Sequence, residues 1–168
     1  MDPPVRYCVA GLDPALDRSQ AKAYRASLLT LANELGIADK VEWQIGPLHA
    51  ERLSDLAQRA DLIRLLQSPA DRTASAILDD AITAARPIVA NGSPYATEIL
   101  PDTGGGIVAT EPATIADGLI RIVTNQRLCT NMPTATRRWH RLWTGRWRPG
   151  DTASWSTCCY AGQRATDR

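Results

Sequence analysis

The chain has 168 residues, 44% of them apolar and 22% charged, which suits one globular domain with its own core or part of a larger protein. No stretch approaches the roughly 18 to 20 unbroken apolar residues that span a bilayer, and Met1-Asp2-Pro3-Pro4 lacks the basic and apolar segments of a signal peptide, so a cytoplasmic location is expected. The net charge of +1 hides a split: residues 137–168 hold seven Arg and two Asp, a local charge of +5, while the rest holds 12 basic and 16 acidic residues and carries −4.

Val5 to Ala10 is a short, largely apolar run that ends at Gly11, as a buried parallel strand does. A helical stripe follows, with Tyr24, Leu28, Leu31 and Leu35 on one face, Ser19 as its N-cap and Gly36 as its left-handed terminator. Val41, Trp43 and Ile45 alternate with polar residues in a second strand closed by Gly46-Pro47. Leu53, Leu56, Ala57 and Ala60 form the apolar face of a short helix, and Leu62 to Leu66 read as a third strand ended by Ser68-Pro69. A helix opening near Ser75 carries Ile77, Leu78, Ala81, Ile82 and Ala85 inward. Pro87 to Ala90 is a fourth strand, ended by Asn91-Gly92. Gly104-Gly105-Gly106 leads as a flexible turn into a fifth, Ile107 to Ala109. Pro112 starts a last helix with Ile115, Leu119, Ile122 and Val123 buried.

Strands alternating with helices through short connections predict parallel strands joined by right-handed crossovers. The expected class is α/β, a Rossmann-like parallel sheet with helices on both faces, followed by an irregular C-terminal tail. Composition changes near residue 133. Trp139, Trp143, Trp147 and Trp155 all follow it, and no Val, Ile, Leu or Met occurs after Leu142. The expected division is therefore 1–132 as the folded domain and 133–168 as a Trp- and Arg-rich, poorly ordered tail.

In open parallel sheets, ligands bind beyond the carboxyl ends of the strands. Three segments lie there: the one beginning at Gly11, the one from Gln67 to Ser75, and the one from Asn91 to Glu98. Free N–H groups and the positive dipole end of the helix opening at Ser75 favour a phosphate. Asp79 and Asp80 sit in the first turn or so of that helix. Their plainer reading is that they only satisfy the helix start. Arg64, in the middle of the third strand, is anomalous for a buried strand; it either snorkels at an edge or marks relaxed constraint. His49 reads as a solvated loop or cap residue. The four cysteines (Cys8, Cys129, Cys158, Cys159) show no CxxC and no zinc spacing, and Cys8 reads as a small buried hydrophobe. No metal site is expected.

Val5-Arg6-Tyr7-Cys8-Val9-Ala10-Gly11, then Leu35 to Gly46, then Ala60-Asp61-Leu62-Ile63, Ser68-Pro69, Ile77 to Ala90 and Glu98 to Ala109 follow one another in an order and spacing that resembles the donor domain of GT-B glycosyltransferases of the large retaining family 4. The resemblance covers roughly residues 4–132. It implies the C-terminal half of a GT-B fold, transfer of a sugar from a nucleoside-diphosphate donor with retention, and no obligatory metal or other cofactor. Family members carry two acidic residues separated by seven others, one toward the donor sugar and one toward the ribose. Counted back from Arg86-Pro87, the second position falls on Asp80 and the first on Arg72, with Asp71 adjacent. Arg72 is either a partner for diphosphate oxygens or a solvated loop residue. The donor-binding set carried over by the resemblance is Asp80, Arg72, Gly11, Ser68 and Ser75, with no catalytic residue assignable.

The family also has a strand and a basic pair ahead of the segment matching Val5, and a separate acceptor-binding domain. The chain is accordingly expected to be a fragment that supplies donor binding only and is inactive when isolated. The alternative is a non-catalytic, degenerate nucleotide-binding module. For the tail, an off-frame peptide is set against an interfacial helix built on Trp139, Trp143 and Trp147, which would place the protein at the inner membrane face. Nucleic-acid binding is not expected, because the folded part is acidic.

Overall fold

The computed structural model describes residues 5–11, 18–45, 48–65, 76–143 and 158–161. Strands β1 (Tyr7–Gly11), β2 (Val41–Ile45), β3 (Leu62–Leu65), β4 (Ile88–Ala90), β5 (Gly106–Val108) and β6 (Cys158–Ala161) form one sheet in the order β2-β1-β6-β3-β4-β5. Helices α1 (Arg18–Glu34), α2 (Ala50–Arg59), α3 (Ala76–Thr83), α4 (Pro94–Thr103), α5 (Pro112–Thr124) and α6 (Gln126–Trp143) complete the chain, with a single 3-10 turn at Ala38–Lys40 before β2.

The five expected strands are all present, and each pair they form with one another is parallel: β1 with β2, β3 with β4, and β4 with β5. The α/β class with helices on both faces is borne out. Residues of β3 and β4 alternate between two cores, as the pleat requires. Ile63, Leu65, Ile88 and Ala90 face Ala57 of α2, Leu78, Ala81 and Ile82 of α3, and Ala96 and Leu100 of α4. Leu62 and Val89 face Ile122 of α5 and Met132 of α6. Fully burying one such Leu or Ile side chain stabilises by roughly 1.5–3 kcal/mol, so these two layers dominate the stability.

Within the tail, residues 158–161 are the part described after α6. They form β6, antiparallel to both neighbours and seated between β1 and β3, where Cys159 lies opposite Val9 on one side and Arg64 on the other. With β6 in the place of the first strand, the order matches the Rossmann order 3-2-1-4-5-6. Helix α6 runs unbroken across residue 133. Its Thr136 is completely buried, so packing continues beyond the change in composition. Pro133 withholds one backbone donor, and its helical neighbours continue around it.

Further departures are local. Helix α1 begins at Arg18, one residue before the expected cap Ser19, and its expected inner face is largely exposed at Tyr24, Leu31 and Leu35. Asn91–Glu98 is not all loop: Ser93 Oγ accepts from the Ala96 amide at 3.2 Å, Pro94 fills the first turn, and Gly104 ends α4 in a left-handed conformation with φ 62°. Gly106 is a packing requirement rather than a flexible turn, since a Cβ there would lie 2.7 Å from a methyl of the fully buried Leu100. Arg64 does not snorkel at an edge. Strand β3 is paired on both sides, and the buried guanidinium donates to the carbonyls of Leu65 and Val89. Cys8 is only partly buried. His49 is the N-cap residue of α2, exposed and without a side-chain cap bond. Among the described residues no helix is long and apolar enough to cross a membrane.

Candidate functional site

The carboxyl ends of β1, β3 and β4 lie at Gly11, Leu65 and Ala90. Gly11 is buried and has φ 114°, a conformation that a residue with a side chain rarely adopts. Beyond β4 the Asn91 amide donates to the Leu65 carbonyl at 3.3 Å, tying that loop to β3. Buried Ser93 then caps α4, and the helix start sets Tyr95 toward α3. The Tyr95 hydroxyl donates to Asp79 Oδ1 at 2.7 Å, joining the two helices that follow β3 and β4.

This link changes the protonation of the acids around it. Burial raises the Asp79 carboxyl above its usual range, and the Tyr95 hydrogen bond partly offsets that. Burial pushes Asp80 up to about 6, and the charge of Asp79 beside it pushes the same way. Tyr95 is held well above the ordinary phenol range, first by burial, then by its bond to Asp79 and the charges of Asp79 and Glu98. Near neutral pH Asp80 can therefore accept hydrogen bonds when ionised and donate one when protonated. Such a group suits the hydroxyls of a ribose or sugar.

Of the donor-binding set named from the sequence, Gly11 and Asp80 are described: Gly11 ends β1, and Asp80 is half-buried on α3 next to Asp79. Ser68, Asp71, Arg72 and Ser75 lie outside the described residues. Sequence reasoning missed Tyr95. The signal available was a Ser-Pro helix start directly after a strand, which places the next side chain at a carboxyl end. It reduced Asp79 to a helix-dipole residue and could not see its partner sixteen positions away.

The switch in strand order lies between β1 and β3. In a Rossmann sheet the strand at that place ends there and leads into the helix start that holds phosphate. Here β6 runs the other way. It begins there, with Cys158 opposite Ala10 and Leu65.

No protein-family model matches the chain, and no curated protein sequence matches it. Solved structures do. WaaG, a glycosyltransferase involved in lipopolysaccharide biosynthesis, is 27% identical with a TM-score of 0.58, over 69% of this chain and 31% of that one. The C-terminal domain of the glycosyl transferase group 1 family protein LpcC from Francisella tularensis is 12% identical with a TM-score of 0.61, over 76% and 64%. Anabaena Alr3699/HepE, solved in complex with UDP-glucose, is 16% identical with a TM-score of 0.60, over 78% and 35%. The chain spans less than two thirds of each of these. Its five parallel strands, its two helical layers and these likenesses make it a domain of the GT-B glycosyltransferase fold, similar to the C-terminal domain of that architecture.

Proposed function

We propose that the chain supplies the donor side of a glycosyltransferase cleft, holding a nucleoside-diphosphate sugar for a retaining transfer, and that a separate domain holds the acceptor. The observation that carries this reading is the grouping of Asp79, Asp80 and Tyr95 on the helices that follow β3 and β4 of a GT-B fold. Asp80 takes the ribose hydroxyls and Tyr95 keeps its neighbour Asp79 in place. Ser68, Arg72 and Ser75 belong to the same donor-binding set. The likeness to HepE, solved with UDP-glucose, supports a nucleotide sugar as the ligand class.

The chain alone binds its donor weakly and transfers no sugar. Each charge-assisted hydrogen bond to diphosphate that is not made forfeits about 1.5–3 kcal/mol. Two such bonds amount to roughly a hundredfold or more in affinity. Transfer further requires an acceptor held against the donor, which one half of a cleft does not provide. Calorimetry with UDP and with GDP, followed by a donor-turnover assay, tests this. Weak binding abolished by Asp80→Ala without turnover supports it; micromolar binding with acceptor-dependent nucleotide release overturns the half-cleft reading. A second reading, a non-catalytic degenerate module, is favoured by Arg72 at the first acidic position and by the reversed strand at the switch point. Absence of any binding selects it.

A further inference from the structure

Asp79 and Asp80 follow one another on α3, yet they meet different surroundings. Leu78, Ala81 and Ile82 face the sheet. Each helical step turns the chain by roughly 100°, so Asp79 is directed sideways and Asp80 further round. Asp79 is buried and accepts from the Tyr95 hydroxyl at 2.7 Å, whereas the half-buried Asp80 carboxyl bonds to no described residue. Tyr95 reaches across from a fixed base. Buried Ser93 caps α4 through the Ala96 amide, the Thr97 amide donates to the Ser93 carbonyl at 2.9 Å, and the Asn91 amide ties the loop to β3.

A hydrogen bond donated to a carboxylate favours its ionised form, so the Tyr95 hydroxyl opposes the effect of burial on Asp79. The charge of Asp79 in turn disfavours charge on Asp80. Tyr95 therefore acts on Asp80 through Asp79, without a bond to Asp80. Other charged groups surround this set. Glu98 of α4 acts on Tyr95. Glu51, Arg52, Asp55 and Arg59 of α2 are exposed, and Arg52 and Arg59 pair with Asp55. The alternation of β3 turns Arg64 to the face opposite Ile63 and Leu65. Arg127 and Arg138 of α6 are exposed. Asp71, Arg72 and the side chains of Asp102, Arg137, His140 and Arg141 lie outside the described residues.

We propose that Tyr95 is a positioning residue for Asp80: by holding Asp79 ionised and turned toward α4, it sets whether Asp80 meets a ligand hydroxyl as a carboxylate or as a carboxylic acid, so that binding at this site is linked to a proton. The link to a ligand rests on the donor-side reading above; the coupling within the three residues does not.

The full-length chain with isotope-labelled aspartates is titrated by NMR, each carboxyl being followed through its own midpoint. Tyr95→Phe is expected to move the two acids in opposite directions, Asp79 to higher pH and Asp80 to lower pH. A loss of packing alone would relieve burial around both and move both down. That outcome, or an unmoved Asp80, overturns the proposal. Asp79→Asn keeps the shape of the side chain and is expected to lower the Asp80 midpoint by itself. Tyr95→Phe added to it is expected to change that midpoint no further, and a further change overturns the relay through Asp79. Should Tyr95→Phe not fold, an Asp80 midpoint unmoved by Asp79→Asn overturns the proposal. UDP-glucose, whose phosphates are both esterified and keep their charge across the range in which carboxyls titrate, reads the ligand side. Its affinity is expected to rise about five- to tenfold as pH is raised through the Asp80 midpoint, because an ionised acceptor makes the stronger bond to a hydroxyl. Tyr95→Phe is expected to shift that rise to lower pH together with Asp80. Binding that ignores pH while Asp80 titrates as expected overturns the linkage. Absence of UDP-glucose binding at every pH overturns the donor-side reading and the ligand linkage with it, while the carboxyl midpoints still decide the coupling.

Discussion

The two parallel blocks of the sheet, β2-β1 and β3-β4-β5, were equally legible as sequence patterns, yet they pack very differently. In the β3-β4-β5 block, all four residues of β3 and all three of β4 are buried, and α2 to α6 close over both faces. In the β2-β1 block, α1 carries a stripe just as regular, yet Tyr24 is 54% exposed, Leu31 48% and Leu35 62%. Periodicity reports which side of a helix avoids water. It does not report that a partner surface is present. The candidate site lies almost wholly on the well-packed block, where helix starts held by a rigid core can keep a Tyr and two acids in fixed relation.

Truncating one apolar residue in each block gives the largest expected difference. Ile88→Ala, in a completely buried position, is expected to destabilise by about 2–5 kcal/mol. Leu31→Ala is expected to stay within about 0.5 kcal/mol. Urea unfolding of both variants measures the difference, and equal losses would mean that the exposed stripe of α1 is covered in solution.

Tyr95→Phe tests whether the site depends on the packed block. It removes the hydroxyl that bonds Asp79 and leaves a buried acid short of a partner, an expected loss of about 1–3 kcal/mol. The Asp79 carboxyl should also titrate at higher pH, since the bond that lowers it is gone. NMR titration of the side-chain carbons reads both changes.

Asp80 makes the stability of the well-packed block depend on pH. Its folded value of about 6 lies above the ordinary carboxyl value of 3.8, so the folded state holds the proton more tightly than the unfolded state does. That contribution to stability is fully present below about 3.8 and is lost as pH rises through about 6. The difference corresponds to roughly 3 kcal/mol for a fully shielded group. Solvent screening at this half-buried position reduces it to about 1–2 kcal/mol. Asp80→Asn is therefore expected to stabilise the chain by that amount above about pH 6.5 and by almost nothing at about pH 4. Denaturation at the two values checks the sign.

The smallest effect concerns the turn between α3 and β4. Ala85 has φ 52°, in the left-handed region where a side chain is strained. Ala85→Gly is expected to stabilise by about 0.5–1 kcal/mol, after the added flexibility of the unfolded chain is set against the relief. Thermal unfolding resolves a change of that size.

The five parallel strands, the helices at α1, α2, α3 and α5, and the buried faces of α3 and α5 could all be read from local patterns. Those patterns arise from side chains that must leave water within a few residues of one another. Gly36 was likewise legible, because a positive φ selects glycine at the point where it occurs. Four features were not. The helix after β4 was hidden by its Ser-Pro start and its glycine end, which read equally well as loop. Helix α6 crosses a change in composition that masks the burial of Thr136, and the helix packs on α3 and α4, which lie well before it in sequence. The bond from Tyr95 to Asp79 exists because two crossovers bring α3 and α4 side by side, and nothing in either segment specifies the other. Strand β6 lies furthest beyond sequence reading. Cys158-Cys159-Tyr160-Ala161 has no branched aliphatic residue, and it becomes a strand because the sheet offers two rows of main-chain donors and acceptors with a gap one strand wide between them. Backbone hydrogen bonding is indifferent to side-chain identity, so a position decided by it is settled by the tertiary arrangement alone.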